Sequence, residues 1–299
     1  MKTNRIIFSL IITISTLISC NTSNNKADGY GNFEAIEVTI SAENSGKLIQ
    51  FSVEEGHMLK SNNVVGFIDT IPLNLQKEKF LVSKNIIASK SESVLSQISV
   101  LKAQLKTAEI SKKRIENLIK EQAGTQKQLD DINGQIDVIK QQIRSIEIQN
   151  ATVLNELYSI DVQIEQIEDQ LQKSIITNPI NGTVLTKYAE PNEITSFGKP
   201  LYKIADLSTL KLRIYISENQ LFNIKIGQEV IVKIDSNKEM KNYTGIISWI
   251  ASEAEFTPKI IQTKEERVNL VYAVKIDVKN DGSLKIGMPA EMWINTSGE

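Results

Sequence analysis

One cysteine and one histidine in 299 residues exclude much of enzyme chemistry before any motif is sought. Cys20 has no partner for a disulfide, and His57 alone cannot build a two-histidine zinc site. No glycine-rich phosphate loop follows a strand pattern. Charge of neither sign dominates, 34 Lys and Arg standing against 36 Asp and Glu, so the sequence carries no electrostatic footprint for nucleic acid. The apolar run Ile6 to Ile18 is too short to cross a bilayer. Proline is missing throughout residues 74–174. Glu253, Glu255, Glu265 and Glu266 are the acids that could be offered as a carboxylate pair, but nothing beside them would raise a pKa. His57, next to Gly56, reads as a solvent-facing turn residue, with a pH-sensing role as the sharper alternative. The reading is of a protein that is not an enzyme, with no cofactor, no metal and no catalytic residue.

The N-terminus is a targeting signal. Lys2 and Arg5 precede the apolar run, which ends in Leu17-Ile18-Ser19-Cys20. This resembles a bacterial lipobox, in which the cysteine is lipidated and becomes the new N-terminus. The plainer alternative is an ordinary signal peptide with a free thiol, but the sole cysteine stands where lipidation needs one. Residues 1–19 are then a lipoprotein signal peptide, and residues 20–30 a lipidated tether, polar from Asn21 to Asp28. The protein is expected to be exported and held at a membrane by its end.

What the sequence has in abundance is helical periodicity. Leu129, Ile132, Ile136, Ile139, Ile143 and Ile146 open a run of alternating three- and four-residue steps that continues to Leu171. That is an a/d heptad seam, interrupted by Asn150 at an a position. Val94, Ile98, Leu101, Leu105, Ala108, Lys112, Ile115 and Ile119 repeat the pattern less strictly in the preceding arm. Between the arms, Gly124 suits a left-handed residue that ends a helix, and Thr125 with Gln128 forms a capping box that starts the next. The spacing predicts a long antiparallel coiled-coil hairpin over residues 71–174, projecting roughly 70 Å. Asn150 is expected to set the register of the two arms at some cost in stability.

On either side of that stretch the period falls to two. Short alternating runs such as Lys47–Val53 and Val64–Ile68 predict small strands. Gly46-Lys47-Leu48 is repeated as Gly182-Thr183-Val184, Gly56 corresponds to Asn192, and Asp69 to Asp206. Asn accepts a left-handed turn more readily than other side chains, so Asn192 preserves the backbone geometry of Gly56. A repeat split in this way implies two half-motifs folding into one domain, with the helices inserted in the loop between them.

The two halves, Ser45-Gly46-Lys47-Leu48 through Ile68-Asp69 and Asn178-Pro179-Ile180-Asn181-Gly182 through Ile204-Ala205-Asp206, resemble the split lipoyl-like domain of HlyD-like membrane fusion proteins, the periplasmic adaptors of efflux and secretion machines. The resemblance covers nearly the whole chain after the signal. It implies an elongated α+β fold, with the hairpin inserted into a split lipoyl-like β-domain (residues 31–70 and 175–206) and a small β-barrel domain (207–299) following. Lipoyl and biotinyl carriers share the repeat, but their modified lysine needs a Met-Lys-Met or Asp-Lys-Ala motif at the tip of a tight turn. This sequence contains neither.

Evenly spaced strand patterns at Leu210–Ile216, Glu229–Ile234, Thr244–Ala251, Val271–Val278 and Glu291–Asn295 predict the barrel. Phe256-Thr257-Pro258-Lys259 with Gln262-Thr263 and Glu266-Arg267 resembles a motif of adaptors that work with ABC-type transporters, which favours that partner over an RND type. The resemblance further implies that a membrane-proximal domain is missing or reduced to the residues near Tyr30–Val38 and the C-terminal strand.

In adaptors that dock on a TolC-type outer-membrane channel the hairpin end carries Arg, Leu and Ser at spacings matched here by Arg114, Leu118 and Thr125, with Gly124 in the turn. Arg114 and Leu118 fall at c and g positions beside the seam, where they can meet a partner. The same residues also admit plainer roles, Arg114 as an exposed charge, Leu118 as a widening of the seam and Thr125 as a cap. The resemblance implies an inner-membrane transporter, an outer-membrane channel and a homo-oligomeric ring as partners. The alternative is a structural coiled-coil envelope lipoprotein without a transport role.

Overall fold

A computed structural model describes residues 26–235, 240–256 and 270–294. The chain divides into two compact units, residues 37–205 and a second that joins the segment up to Ile36 to residues from Asp206 onward.

Strand β1 (Gly29–Glu34) belongs to the second unit, and the first unit begins at β2 (Glu37–Ser41). Strands β3 (Gly46–Phe51), β4 (Met58–Leu59) and β5 (Val64–Ile68) complete a half-motif. Two long helices intervene, α1 (Ile71–Lys120) and α2 (Gln126–Lys173), before β6 (Ile175–Thr177), β7 (Gly182–Lys187), β8 (Ile194–Thr195) and β9 (Pro200–Ala205) form the second half. The sheets are ordered β2-β9-β7-β4 and β6-β5-β3-β8. Exchanging each strand for its counterpart in the other half turns one order into the other, so each sheet draws on both halves.

The repeat explains this exchange at the level of single bonds. Gly56 N donates to Val184 O (2.9 Å), and its counterpart Asn192 N donates to Leu48 O (2.7 Å). Val184 N donates to His57 O (3.0 Å), and Leu48 N to Glu193 O (2.8 Å). Gly56 and Asn192 both take left-handed backbone angles, φ 82° and 73°, as the substitution of one for the other requires. The core between the sheets holds Leu48, Val53, Val184, Leu201, Tyr202 and Ile204, all at 1 % exposure or less.

Asn178 anchors this core. Fully buried, it donates through Nδ2 to Lys60 O and Ile180 O and accepts from Tyr202 Oη (3.0 Å), while its backbone pairs with Asn62 and Asn63. A buried amide with every polar atom engaged avoids the cost of desolvation. Burial pushes the Tyr202 hydroxyl up to about 12.

Helix α1 starts cleanly because Pro72 lies in its first turn, where a missing N–H costs nothing, and Asp69 Oδ1 accepts from Ile71 N (2.9 Å). The two helices pack antiparallel. Lys77 pairs with Glu168 (2.8 Å), Lys84 with Asp161 (2.6 Å) and Lys90 with Glu156 (3.3 Å). Ile98, Ala108, Ile136, Ile139 and Ile143 are buried between them, and these are seam positions. Lys112 lies half-buried on the seam with its ammonium turned to Glu116 (3.9 Å). Asn150 meets a partner beyond the expected seam: Ser91 Oγ donates to its Oδ1 at 2.9 Å, and Ser91 is buried. The far end of α2 is held by the sandwich, Asn44 Nδ2 donating to Ser174 Oγ (2.8 Å) and Gln170 O (3.1 Å).

The second unit is a closed barrel. Strands β10 (Thr209–Ser217), β11 (Glu229–Asp235), β12 (Met240–Ile250), β14 (Leu270–Lys279) and β15 (Pro289–Ile294) join β1 in the order β10-β1-β15-β11-β12-β14, and β14 pairs back to β10. Strand β13 (Glu255–Phe256) adds to β14, and a four-residue helix α3 (Glu218–Leu221) follows β10. Along β10, Leu210, Leu212, Ile214 and Ile216 face inward as the alternation requires.

Two expectations need correction. Residues 31–70 were assigned whole to the split domain, yet β1 lies in the barrel between β10 and β15. Without it those two strands would be open edges, and Phe33, 1 % exposed, fills the barrel core. The residues near Tyr30–Val38 and the C-terminal strand, expected as a remnant of a membrane-proximal domain, therefore divide between the barrel and β2 of the sandwich.

Candidate functional site

The turn joining α1 to α2 is built from two interlocking caps. After Lys120, Gln122 N donates to Ile119 O (3.0 Å) and Ala123 N to Leu118 O (2.8 Å). This double closure is a Schellman motif, and its left-handed residue is Gln122, φ 59°. The expectation that Gly124 is left-handed is thus corrected. Glycine is needed there for another reason: a Cβ on Gly124 would stand 3.0 Å from both Ile119 N and Ile119 Cγ1 and 3.2 Å from Leu118 Cβ. A side chain there would require the end of α1 to give by a few tenths of an ångström.

Helix α2 then starts at a capping box. Gln128 N donates to Thr125 Oγ1 (3.4 Å), and Thr125 N donates to Gln128 Oε1 (3.0 Å). Each end therefore engages several of its own orphan backbone groups, and the turn forms a doubly capped platform.

On that platform Arg114 and Leu118 lie one turn apart on α1, both exposed, Leu118 at 38 %. Among the described residues Arg114 makes no ion pair. Its neighbours on the same stripe toward the sandwich, Ser111, Thr107 and Gln104, line a shallow groove with Gln135 and Val138 of α2. Thr125 lies across the turn with its hydroxyl engaged by the cap. The turn thus brings Leu118 and Gly124 into contact, while Thr125 is held by its own helix. What this arrangement can do is present a guanidinium and part of an isobutyl group side by side on the exposed face of the helix end.

The other candidates hold no chemistry together. His57 is exposed, 4.0 Å from Glu54, and its carbonyl is the part that the fold uses. Glu255 accepts from Arg213 Nη2 with both oxygens (3.1 and 3.0 Å), so it pairs with a cation rather than an acid. Glu265, Glu266, Cys20 and residues 257–267 of the transporter-type motif lie outside the described residues. Among the described residues no cluster of His, Cys, Asp or Glu could hold a metal ion, and no helix is long and apolar enough to cross a membrane. Sequence reasoning missed Asn178 as a buried hub and Ser91 as the partner of Asn150. Ser91 sits one step before Val94 in the heptad, which was the available signal.

The fold is thus a split sandwich interrupted by a helix pair, together with a six-stranded barrel. It matches the crystal structure of MacA from Actinobacillus actinomycetemcomitans over 88 % of this chain and 76 % of that one, with a TM-score of 0.55 and 21 % identity. In sequence the chain is 26 % identical over 328 residues to the UPF0194 membrane protein YbhG of Salmonella arizonae, covering 99 % of this chain and 98 % of the relative. It is 25 % identical over 290 residues to a UPF0194 membrane protein of Citrobacter koseri, covering 88 % and 87 %. No family model matches the chain.

Proposed function

We propose that this chain is the periplasmic adaptor subunit of a tripartite efflux or secretion pump, bridging an inner-membrane transporter and a TolC-type outer-membrane channel. The observation that carries the reading is the helix pair inserted between two halves of one sandwich and ending in a doubly capped turn beside the exposed Arg114 and Leu118. A coiled-coil hairpin mounted in this way is a spacer with a contact surface at its end. Arg114 would bond carbonyls or carboxylates of the channel, Leu118 would pack against its helices, and Thr125 would add a hydroxyl contact or act as a cap alone. Cys20 would carry the lipid that holds the protein at the inner membrane. The motif at 256–267 favours an ABC-type transporter over an RND type. Copies would assemble as a ring whose hairpins form a conduit. The role is mechanical and requires no cofactor.

Arg114→Asp tests the reading. It should abolish substrate export and crosslinking to the channel while leaving the melting temperature unchanged, because the side chain is exposed and unpaired. Unchanged export in that variant would sink the adaptor reading and favour a structural envelope lipoprotein.

A further inference from the structure

Asp28, at the start of the barrel, is clamped three times. Its N–H donates to Met292 O (2.9 Å), its Oδ2 accepts from Ile294 N (2.7 Å), and its carbonyl accepts from Gln220 Nε2 (2.6 Å). The entry of the chain is therefore fixed beside helix α3. Cys20 stands eight residues earlier, a span of at most roughly 28 Å for extended chain. A lipid on Cys20 would hold this end of the barrel within that distance of a bilayer.

Two residues past Gln220, the segment from Phe222 to Ile226 presents apolar side chains to solvent, Phe222 at 81 % exposure and Ile226 at 66 %. Its backbone has little freedom. Asn223 N donates to Gln220 O (3.1 Å), Lys225 N to Gln228 Oε1 (2.9 Å) and Gly227 N to Ile247 O (2.8 Å), with Gly227 left-handed at φ 86°. Ile224, between the two exposed residues, is buried in the barrel core and pins the segment from below. Single exposed apolar residues are ordinary. Two of them held outward on either side of a buried anchor suit a surface that enters an apolar phase.

The tryptophans are an independent observation. The chain has two, and both lie at this end of the barrel, Trp249 second from the end of β12 and Trp293 second from the end of β15. Antiparallel pairing brings those strand ends together with the start of β1 and the end of β10, which carry Tyr30 and Tyr215. Trp249 and Tyr30 are exposed on the outer face, and Trp293 and Tyr215 are half-buried there. Lys233 Nζ lies 4.1 Å from the centre of the Trp293 ring, and Lys275 Nζ 5.1 Å from that of Trp249. Tryptophan, tyrosine and lysine together favour the boundary between headgroups and acyl chains, where an apolar ring and a wet polar tip are both satisfied.

We infer that this end of the barrel enters the surface of a lipid bilayer, with Phe222 and Ile226 among the upper acyl chains and the Trp and Tyr rings facing the headgroups. The local charge is mixed, Lys225 standing against Glu218 and Glu229, all exposed. Apolar burial, rather than attraction to anionic lipid, therefore supplies the contact. A lipid at Cys20 limits only distance, whereas two inserted side chains beside a fixed entry point also set which face of the barrel meets the membrane. The inference goes beyond the adaptor reading and rests on it only for the lipid that brings this end to a bilayer.

The test is fluorescence quenching by labelled lipid. Asn223→Cys, next to Phe222 and exposed, would carry a polar fluorophore on the full chain purified from membranes. The chain is reconstituted in phosphatidylcholine vesicles whose lipids bear a nitroxide high on the acyl chain. Quenching there should exceed that of the same probe at Lys285→Cys, in the loop before β15 at the opposite end of the barrel, by about threefold or more, and should not change with salt. Adding Phe222→Ser and Ile226→Ser should bring it down to the level at Lys285→Cys without changing the circular dichroism melt, since both side chains are exposed. Equal quenching at the two sites, or indifference to the serine pair, would overturn the inference. So would quenching that appears only when a transporter is present, which would assign this end to a protein partner. The lipidation reading fails separately: a free Cys20 thiol would take up a second fluorophore, and quenching at position 223 decides the inference in either case.

Discussion

Replacing Asn150 by leucine should raise the melting temperature. Asn150 is half-buried on the seam and accepts one hydrogen bond, from Ser91 Oγ at 2.9 Å; Val153, three residues after Asn150, and Val94, three after Ser91, are buried. A leucine there would bury apolar surface worth about 1 kcal/mol at half burial and gain a few tenths in helix propensity. Against this, Ser91 loses a partner, a cost of about 1 kcal/mol if its hydroxyl is left unsatisfied. It need not be, because Ser83 and Ser89 on the same helix donate to the carbonyls of Lys79 and Asn85, both at 3.0 Å, and Ser91 can turn to Ile87 in the same way. The net gain is about 1 kcal/mol, or about 2–4 °C. Ser91→Ala alone should lower the midpoint by a similar amount, and Ser91→Ala with Asn150→Leu should be at least as stable as Asn150→Leu, a coupling that a double-mutant cycle isolates. The assay is thermal melting of the full chain followed by circular dichroism at the helix band. A fall in midpoint for Asn150→Leu, or no change for Ser91→Ala, would refute the view that the pair sets register at the expense of stability.

Other perturbations follow from the same geometry. Gly124→Ala should destabilise by about 1 kcal/mol through crowding against Ile119, whereas Gln122→Gly should stabilise by about 0.5–1 kcal/mol by relieving a left-handed glutamine; comparison of their melts checks both. Asn178→Leu should cost about 2 kcal/mol in denaturant unfolding, since it leaves the buried Tyr202 hydroxyl without its acceptor and removes the donor to Ile180 O. Tyr202 has its folded pKa raised to about 12 by burial, so its contribution is complete below pH about 10 and is lost as pH rises toward 12. Ultraviolet titration should show a late-ionising tyrosine that disappears in Tyr202→Phe. Hydrogen bonds from Lys241 and Ser283 hold Asp281 well below the usual carboxylate range. Its contribution is therefore present above pH about 4 and lost as pH falls through the lowered value, and Asp281→Asn should flatten that acid limb.

The elements legible in the sequence were those specified by local periodicity. The seam from Leu129 to Leu171 is one face of a helix wherever it is placed, and Ile136, Ile139 and Ile143 are buried for that reason. The capping box of Thr125 and Gln128 is likewise a four-residue matter. At the candidate site, Arg114 and Leu118 could be put on one exposed stripe by counting heptads. The conformation of the turn could not be read so directly, because Gly124 and Gln122 compete for the left-handed position. The winner is set by where the end of α1 lies against the returning chain. Strand β1 was misplaced for a similar reason: its alternation fits either unit, and only the open edges of β10 and β15 decide which one it closes.

By itself the sequence determined the helices and the repeat, because these depend on spacing along the chain. The tertiary structure decided which strands exchange between the two sheets, that Ser91 answers Asn150, that Asn178 is a satisfied hub, and that Gly124 is a matter of space rather than backbone angle. Each of those depends on groups far apart in the chain meeting at hydrogen-bond or van der Waals distance, and local pattern carries no information about such meetings.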